Sequence, residues 1–296
     1  MNTAGPASLP ALLPFLAVLR ISGPDAASFL QGQLTHDTRL LAGGRTLLAA
    51  ANTPQGRVVA LLRLRQGEHG IDALLPEDLA APLAARLRRF VLRARVDVRV
   101  ADDVRVAWVR GRAAVLPAAA IDGGDPIWFD YAPDRRAVAA PEAVLHEVLG
   151  SQRRDAAPGI ENEWWSADVA AGLPQVFAAS SEAFVPQMLN LDLLDAISFN
   201  KGCYTGQEIV ARTQNLGRIK RRTARFRLPA GPLLPPLAGF TLDGTKVAEI
   251  VMSAAVGEGI ECLAVTSLEA WGRTLRAEDG REAVPQPLPY PVATTA

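Results

Sequence analysis

The residues best placed to do chemistry surround one of the chain's two cysteines, in Asn200-Lys201-Gly202-Cys203-Tyr204-Thr205-Gly206-Gln207-Glu208. Thr205 and Glu208 have the Thr-x-x-Glu spacing of a capping box, in which each side chain satisfies a backbone N–H at a helix start. The spacing predicts a helix through Ile209, Val210 and Ala211 that closes near Gly217 as a C′ glycine. Cys203 then lies just ahead of a helix N-terminus. There the dipole and the free N–H groups favour a thiolate, and Lys201 adds positive charge nearby. A buried structural cysteine needs no such setting. Three roles stay open for the thiol from this chemistry alone: nucleophile, redox group or transient ligand.

The remaining candidates are sparser. Cys262 sits in Glu261-Cys262-Leu263-Ala264-Val265, a strand pattern that reads as core. Two cysteines so far apart do not make a disulfide framework, and reduced thiols are the simpler expectation. His36, His69 and His146 have no paired spacing, so no structural zinc site is expected. One thiol cannot by itself hold an iron–sulfur cluster, which usually takes four ligands. His36 is the candidate base if Cys203 belongs to a thiol enzyme. Trp164 and Trp165 are neighbours, so on a helix they point about 100° apart and are not expected to share one core. One of them can offer a flat face to a heteroaromatic ligand. Arg86, Arg88, Arg89, Arg93, Arg95 and Arg99 stand against Asp97 alone, either as a solvated face or as a docking surface for a polyanion. Arg218, Lys220, Arg221 and Arg222 follow the cysteine helix, where basic groups complement the dipole. There is no Walker loop, no G-x-G-x-x-G and no G-x-S-x-G elbow.

Composition narrows the function classes. With 296 residues and 31 basic against 31 acidic side chains, the chain can bury a sizeable core and lacks the cationic surplus of a stable nucleic-acid binder. No stretch reaches the ~20 apolar residues of a membrane span, and Leu9 to Leu19 lacks the basic flank of a signal peptide. No membrane association is expected, and a cytoplasmic location is.

The elements that must position these residues read as α+β. Strands are expected over Ala17–Ser22, Leu47–Asn52 and Val58–Leu64, the last two joined by the turn Thr53-Pro54-Gln55-Gly56. Helices are expected from Ala26 to about Leu34 and from Pro76 to about Leu92, the latter packing Leu79, Leu83, Leu87 and Phe90. Strands at Val96–Val100 and Val104–Val109, a loop over Pro117–Asp125, a helix from Pro141 to Leu149, a connector from Arg153 to Pro158 and a helix from Glu163 to Ala171 follow. Beyond residue 222 the strands Thr223–Leu228, Thr245–Ser253, Glu261–Leu268 and Gly272–Ala277 read as a small β-barrel. The expected division is therefore 1–222 and 223–296.

Lys201 to Glu208 resembles the signature of the YgfZ-type folate-binding proteins, relatives of the glycine-cleavage T-protein. The likeness extends to Phe29-Leu30-Gln31-Gly32-Gln33-Leu34-Thr35, to Gly172-Leu173-Pro174, to Phe184 through Leu191, to Ile197-Ser198-Phe199, to Val210-Ala211-Arg212 and to Pro287-Leu288-Pro289-Tyr290. It implies a three-lobed, aminomethyltransferase-like fold, with two interwoven α+β lobes around a tetrahydrofolate cavity and the barrel as the last lobe. It implies a role in assembly or repair of iron–sulfur enzymes, including tRNA-modifying ones, with those client enzymes as partners and Cys203 as the functional thiol. It also implies folate contacts from Trp164, Gln31, Tyr204, Gln207, Glu208 and Arg212. The T-protein relatives carry Gly-x-x-x-Asp-Asp after the first hairpin turn, whereas Gly56-Arg57-Val58-Val59-Ala60-Leu61 has no acid there. Independent turnover is therefore not expected. The alternative is a folate-dependent one-carbon transferase.

Overall fold

The computed structural model describes residues 10–110, 126–132, 135–149, 159–215 and 219–293. The expected loop at 117–125, the connector at 153–158, the C′ glycine Gly217 and Arg218 lie outside them. The chain forms two compact units. One comprises residues 1–32, 37–49 and 62–160, and the other comprises 33–36, 50–61 and 161–296. This is a different cut from 1–222 and 223–296, because the barrel shares its unit with residues 161–222.

The first unit is built on two antiparallel sheets. One contains β2 (Leu16–Ser22), β3 (Leu47–Asn52), β4 (Val58–Gly67), β5 (Gly70–Pro76) and β6 (Asp97–Val100), in the order β3-β4-β5-β2-β6. The last residues of β3 and the first of β4 are counted with the second unit. The other sheet contains β1 (Ala11–Leu12), β7 (Arg105–Arg110), β8 (Ile127–Ala132) and β9 (Arg135–Ala140), in the order β1-β7-β9-β8. Helix α1 (Ala26–Gln33) follows β2, and α2 (Glu77–Arg88) buries Leu79, Leu83 and Leu87. Helix α3 (Glu142–Leu149) packs Val144 and Leu145 on Ala107, Val109 and Val138.

Helix α2 ends four residues short of the Leu92 end expected from periodicity. Phe90 is 42% exposed and does not join the packed face. After Arg88 the backbone N–H groups of Arg89, Phe90 and Val91 donate to the carbonyls of Arg86, Leu87 and Arg88, a tightened i→i−3 pattern. Such a turn rotates the following side chains off the 3.6-residue face. The arginine-rich segment is largely engaged locally. Arg88 Nε donates to the Val98 carbonyl at 2.7 Å, Arg95 N–H to Asp25 Oδ2 at 2.8 Å, and Arg99 to Asp103 at 3.2 Å.

The second unit holds α4 (Ile160–Ala171), α5 (Gln207–Asn215) and a closed antiparallel barrel. Its strands are β10 (Arg221–Pro229), β11 (Gly239–Leu242), β12 (Thr245–Val256), β13 (Gly259–Ser267), β14 (Leu275–Ala277) and β15 (Glu282–Gln286), closing in the order β10-β13-β12-β11-β14-β15. Phe226 and Phe240 meet edge to face at 5.5 Å in the barrel core. Cys262 is fully buried there, and burial, reinforced by Glu261, pushes its thiol pKa well up. It is a packing residue, as its strand pattern suggested. The barrel is tied to the preceding segment by a paired contact of the Arg222 guanidinium with both Asp192 carboxylate oxygens, at 2.6 and 2.8 Å. Tyr290 of the Pro-Leu-Pro-Tyr run donates to the Gly172 carbonyl at 2.6 Å, which joins two of the motifs read from the sequence.

Candidate functional site

The cysteine loop is fixed at its entry by the segment Gln33–His36. The Thr35 hydroxyl donates to the Ala196 carbonyl at 2.7 Å and accepts from Ala50 N–H at 2.8 Å. Ser198 N–H donates to the Thr35 carbonyl at 3.0 Å. Lys201 is buried, and its ammonium donates to the carbonyls of Leu34 and His36, each at 2.7 Å. Lys201 thus anchors the loop to the Gln33–His36 segment.

At its exit the loop is fixed by glycine packing. Gly206 has φ +80°, and a Cβ placed on it would lie 2.5 Å from the Thr53 carbonyl oxygen and 3.0 Å from the Gly56 Cα. Gly56, at φ +70°, is packed as tightly against α5, where a Cβ placed on it would lie 2.8 Å from the Ile209 Cβ. The hairpin turn between β3 and β4 therefore sits directly on the start of α5. Helix α5 begins at Gln207, one residue later than an N-cap at Thr205 would set it. The Gly206 carbonyl accepts from Val210 N–H at 3.4 Å, and Tyr204 N–H donates to Gln207 Oε1 at 3.2 Å. The Thr205 hydroxyl lies 3.5 Å from Gln33 Oε1. Around the left-handed Gly206 the turn into the helix is closed by Tyr204 N–H on the Gln207 side chain and by the Gly206 carbonyl.

Between these anchors Gly202 and Cys203 are exposed. Among the described residues none is hydrogen-bonded to the Cys203 thiol. His36, the candidate base, is buried, and its Nε2 lies 3.9 Å from Asp195 Oδ1. Among the described residues there is also no group of three or more side chains that could hold a metal ion.

Tyr204 turns inward beside the exposed thiol, with the Lys201 ammonium 5.1 Å from its ring centroid. Burial pushes its phenol pKa up to about 12. The folded chain therefore holds this proton above pH 10, where the unfolded chain releases it, so this group's stabilising contribution is complete below pH 10 and is lost as pH rises from 10 to 12. Ultraviolet titration is expected to show a phenolate absent at pH 11 in the wild type, and a Tyr204→Phe variant is expected to lack that late step.

The sequence candidates fall into three groups. Cys203, Tyr204, Gln207, Glu208 and Arg212 share one continuous stretch, with Glu208 and Arg212 exposed one turn apart on α5. Trp164 lies on α4 in the same unit and has no exposed surface. Trp165 is buried as well, edge-on to Phe177 at 5.2 Å, with its Nε1 donating to Glu161 at 3.1 Å. Adjacent tryptophans do both pack inward here, because α4 is covered on more than one side. Gln31 belongs to the other unit, where its amide is taken up locally. It donates to Asp37 Oδ1 at 3.0 Å and accepts from the Thr38 N–H and hydroxyl, each at 2.8 Å. Asp37 also pairs with Arg39 at 2.6 Å, which holds its carboxyl far below the usual range.

Sequence reading missed Asn52. It is buried at the end of β3, and both amide atoms, Oδ1 and Nδ2, lack a hydrogen-bond partner among the described residues. A Cβ on Gly206 would lie 3.1 Å from the Asn52 Cβ, so this amide borders the cysteine loop. An amide with both functions unmade in the interior is costly and marks a place for a polar guest.

No protein-family model matches the chain. Among curated proteins it is 33% identical to the tRNA-modifying protein YgfZ of Klebsiella pneumoniae over 241 residues, covering 77% of this chain and 73% of that protein. It is 30% identical to the tRNA-modifying protein YgfZ of an Enterobacter species over 298 residues, covering 93% and 90%. Among solved structures it resembles the glycine cleavage system aminomethyltransferase T of Bartonella henselae, with a TM-score of 0.72 and 16% identity over 93% of this chain and 84% of that one. That likeness shows the fold, an α+β aminomethyltransferase-like fold carrying the closed barrel. The sequence likeness to the curated relatives shows more: this chain belongs to the family of the tRNA-modifying protein YgfZ.

Proposed function

We propose that the chain is a folate-binding accessory protein for the assembly or repair of iron–sulfur enzymes, tRNA-modifying enzymes among them, with Cys203 as its working thiol. The relatives' name supports a part in tRNA modification, and the aminomethyltransferase-like fold supports a folate-related one. The observation that carries the reading is the placing of an exposed thiol on a doubly anchored loop bordered by the unpartnered Asn52 amide. The donors and acceptors along a pterin edge match what that amide lacks. Tetrahydrofolate, when bound, supplies a one-carbon carrier. Around it this chain would contribute the Asn52 amide and the loop residues Tyr204, Gln207 and Glu208, with exposed Arg212 towards the ligand's carboxylates. Trp164 serves as an aromatic wall if α4 yields to admit a ring. Gln31 acts indirectly, by holding Asp37.

One thiol serves a cluster only in passing or together with a client's own ligands. Transferase turnover is disfavoured, since Ala60 stands where the T-protein relatives have a carboxylate and Asp37 is held by Arg39 and Gln31. In this reading residues 1–222 hold the folate and 223–296 form a supporting lobe. The protein works in the cytoplasm on client enzymes, without stable nucleic-acid or membrane contact. Among the described residues no helix is long and apolar enough to cross a membrane. The test is deletion of the gene. Iron–sulfur enzyme activities, including tRNA thiolation, are expected to fall and to recover on re-expression, whereas unchanged activities would dismiss the role.

A further inference from the structure

Among the described residues Arg63 is a nearly buried cation without a hydrogen-bond acceptor. It stands in the middle of β4 between Leu62 and Leu64 and is only 5% exposed. Among the described residues no carboxylate or carbonyl accepts from its guanidinium. It lies instead on the face of Tyr131, with Cζ 3.3 Å from the ring centroid. Arg135 is 2% exposed and approaches the same ring, at 5.2 Å. A cation–π contact offsets only part of the desolvation of a guanidinium, so a nearly buried arginine whose fork meets no acceptor among the described residues, yet keeps some contact with solvent, is placed to take an acceptor from outside.

The surroundings are cationic. Arg65 lies two residues along β4 and so on the same face as Arg63. Arg136 pairs with Asp130 at 2.9 Å, and Arg65 reaches the same carboxylate at 3.9 Å. Burial lowers the Arg65 pKa, with Asp130 opposing and the Arg136 charge acting in the same direction as burial. The single Asp130 carboxylate is thus shared between two guanidiniums.

We propose that Arg63, Arg135 and Tyr131 form a binding site for a small oxyanion of the phosphate or carboxylate class. The ring beneath Arg63 fixes the plane of its fork, and a planar fork matches two oxygens of such an anion. This site lies in the first unit, and it does not depend on the folate reading of the Cys203 loop.

The test is thermal unfolding and isothermal titration of the full chain with inorganic phosphate, and separately with acetate, against chloride at matched ionic strength. One of the two anions is expected to bind at a single site. At tenfold excess over its Kd it should raise the wild-type Tm by roughly 2–4 °C. The anion that does so identifies the class. Arg63→Met is expected to lose the shift. If Arg63→Met does not fold, Arg63→Lys takes its place and is expected to bind at least tenfold more weakly, because an ammonium lacks the fork. Absence of binding by the wild type, or unchanged affinity in the variant, would overturn the site.

Discussion

A Cys203→Ser variant is expected to leave iron–sulfur enzyme activity at the level of the gene-deleted strain while accumulating as a folded protein. The two parts of this expectation have separate causes. The thiol is exposed and makes no hydrogen bond to any described residue, so replacing sulfur by oxygen removes no packing and no partner. Surface substitutions of this kind change stability by about 0.5 kcal/mol or less. A serine hydroxyl, however, neither ionises near neutral pH nor binds soft metal centres as a thiolate does. Loss of rescue with an unchanged melting temperature assigns the function to the sulfur atom. Full rescue would remove Cys203 from the account.

Gly206→Ala is expected to destabilise the chain by about 3 kcal/mol and to lower rescue with it, the largest effect expected from a single methyl group. An L-residue at φ +80° costs about 1–2 kcal/mol in backbone strain. The new Cβ would also meet the Thr53 carbonyl and the Gly56 Cα, which are backbone atoms that cannot swing aside. The hairpin turn would have to part from the start of α5. At roughly 2–4 °C per kcal/mol, the melting temperature should fall by about 6–12 °C. Gly202→Ala is the internal control. It stands just ahead of Cys203, and a Cβ there meets nothing within 4 Å, so little change is expected. Equal losses from the two substitutions, or none from Gly206→Ala, would contradict the anchored-loop account.

Much of this architecture could be read from residue patterns. The β3–β4 hairpin announced itself through two apolar runs around Thr-Pro-Gln-Gly, and the barrel through evenly spaced alternating strands. Strand β5 (Gly-Ile-Asp-Ala-Leu-Leu-Pro) escaped because it is buried on both faces and does not alternate. Strand β9 escaped because Arg-Arg-Ala-Val-Ala-Ala has little β-propensity and is set by its neighbours β7 and β8. In the candidate site, the place of Cys203 ahead of α5 was legible from spacing, whereas the frame that holds its loop was not. Thr35 and Ala196 are 161 residues apart, and Lys201 reaches back to Leu34 and His36. No local pattern encodes such pairings. Thr205 and Glu208 misled for a related reason, because the φ of Gly206 is imposed by its packing on the Thr53–Gly56 turn. The same remoteness hid Asn52, whose residue type at a strand end looks like ordinary turn chemistry until its burial is known.

Binding of a reduced folate beside that loop is the property on which the proposed role depends. Isothermal titration of tetrahydrofolate into the wild-type protein under anaerobic conditions is expected to give one saturable site. Affinity should be retained in Cys203→Ser and reduced at least tenfold in Asn52→Leu. A wild-type protein that gives no binding heat and no change in melting temperature at millimolar tetrahydrofolate would contradict it.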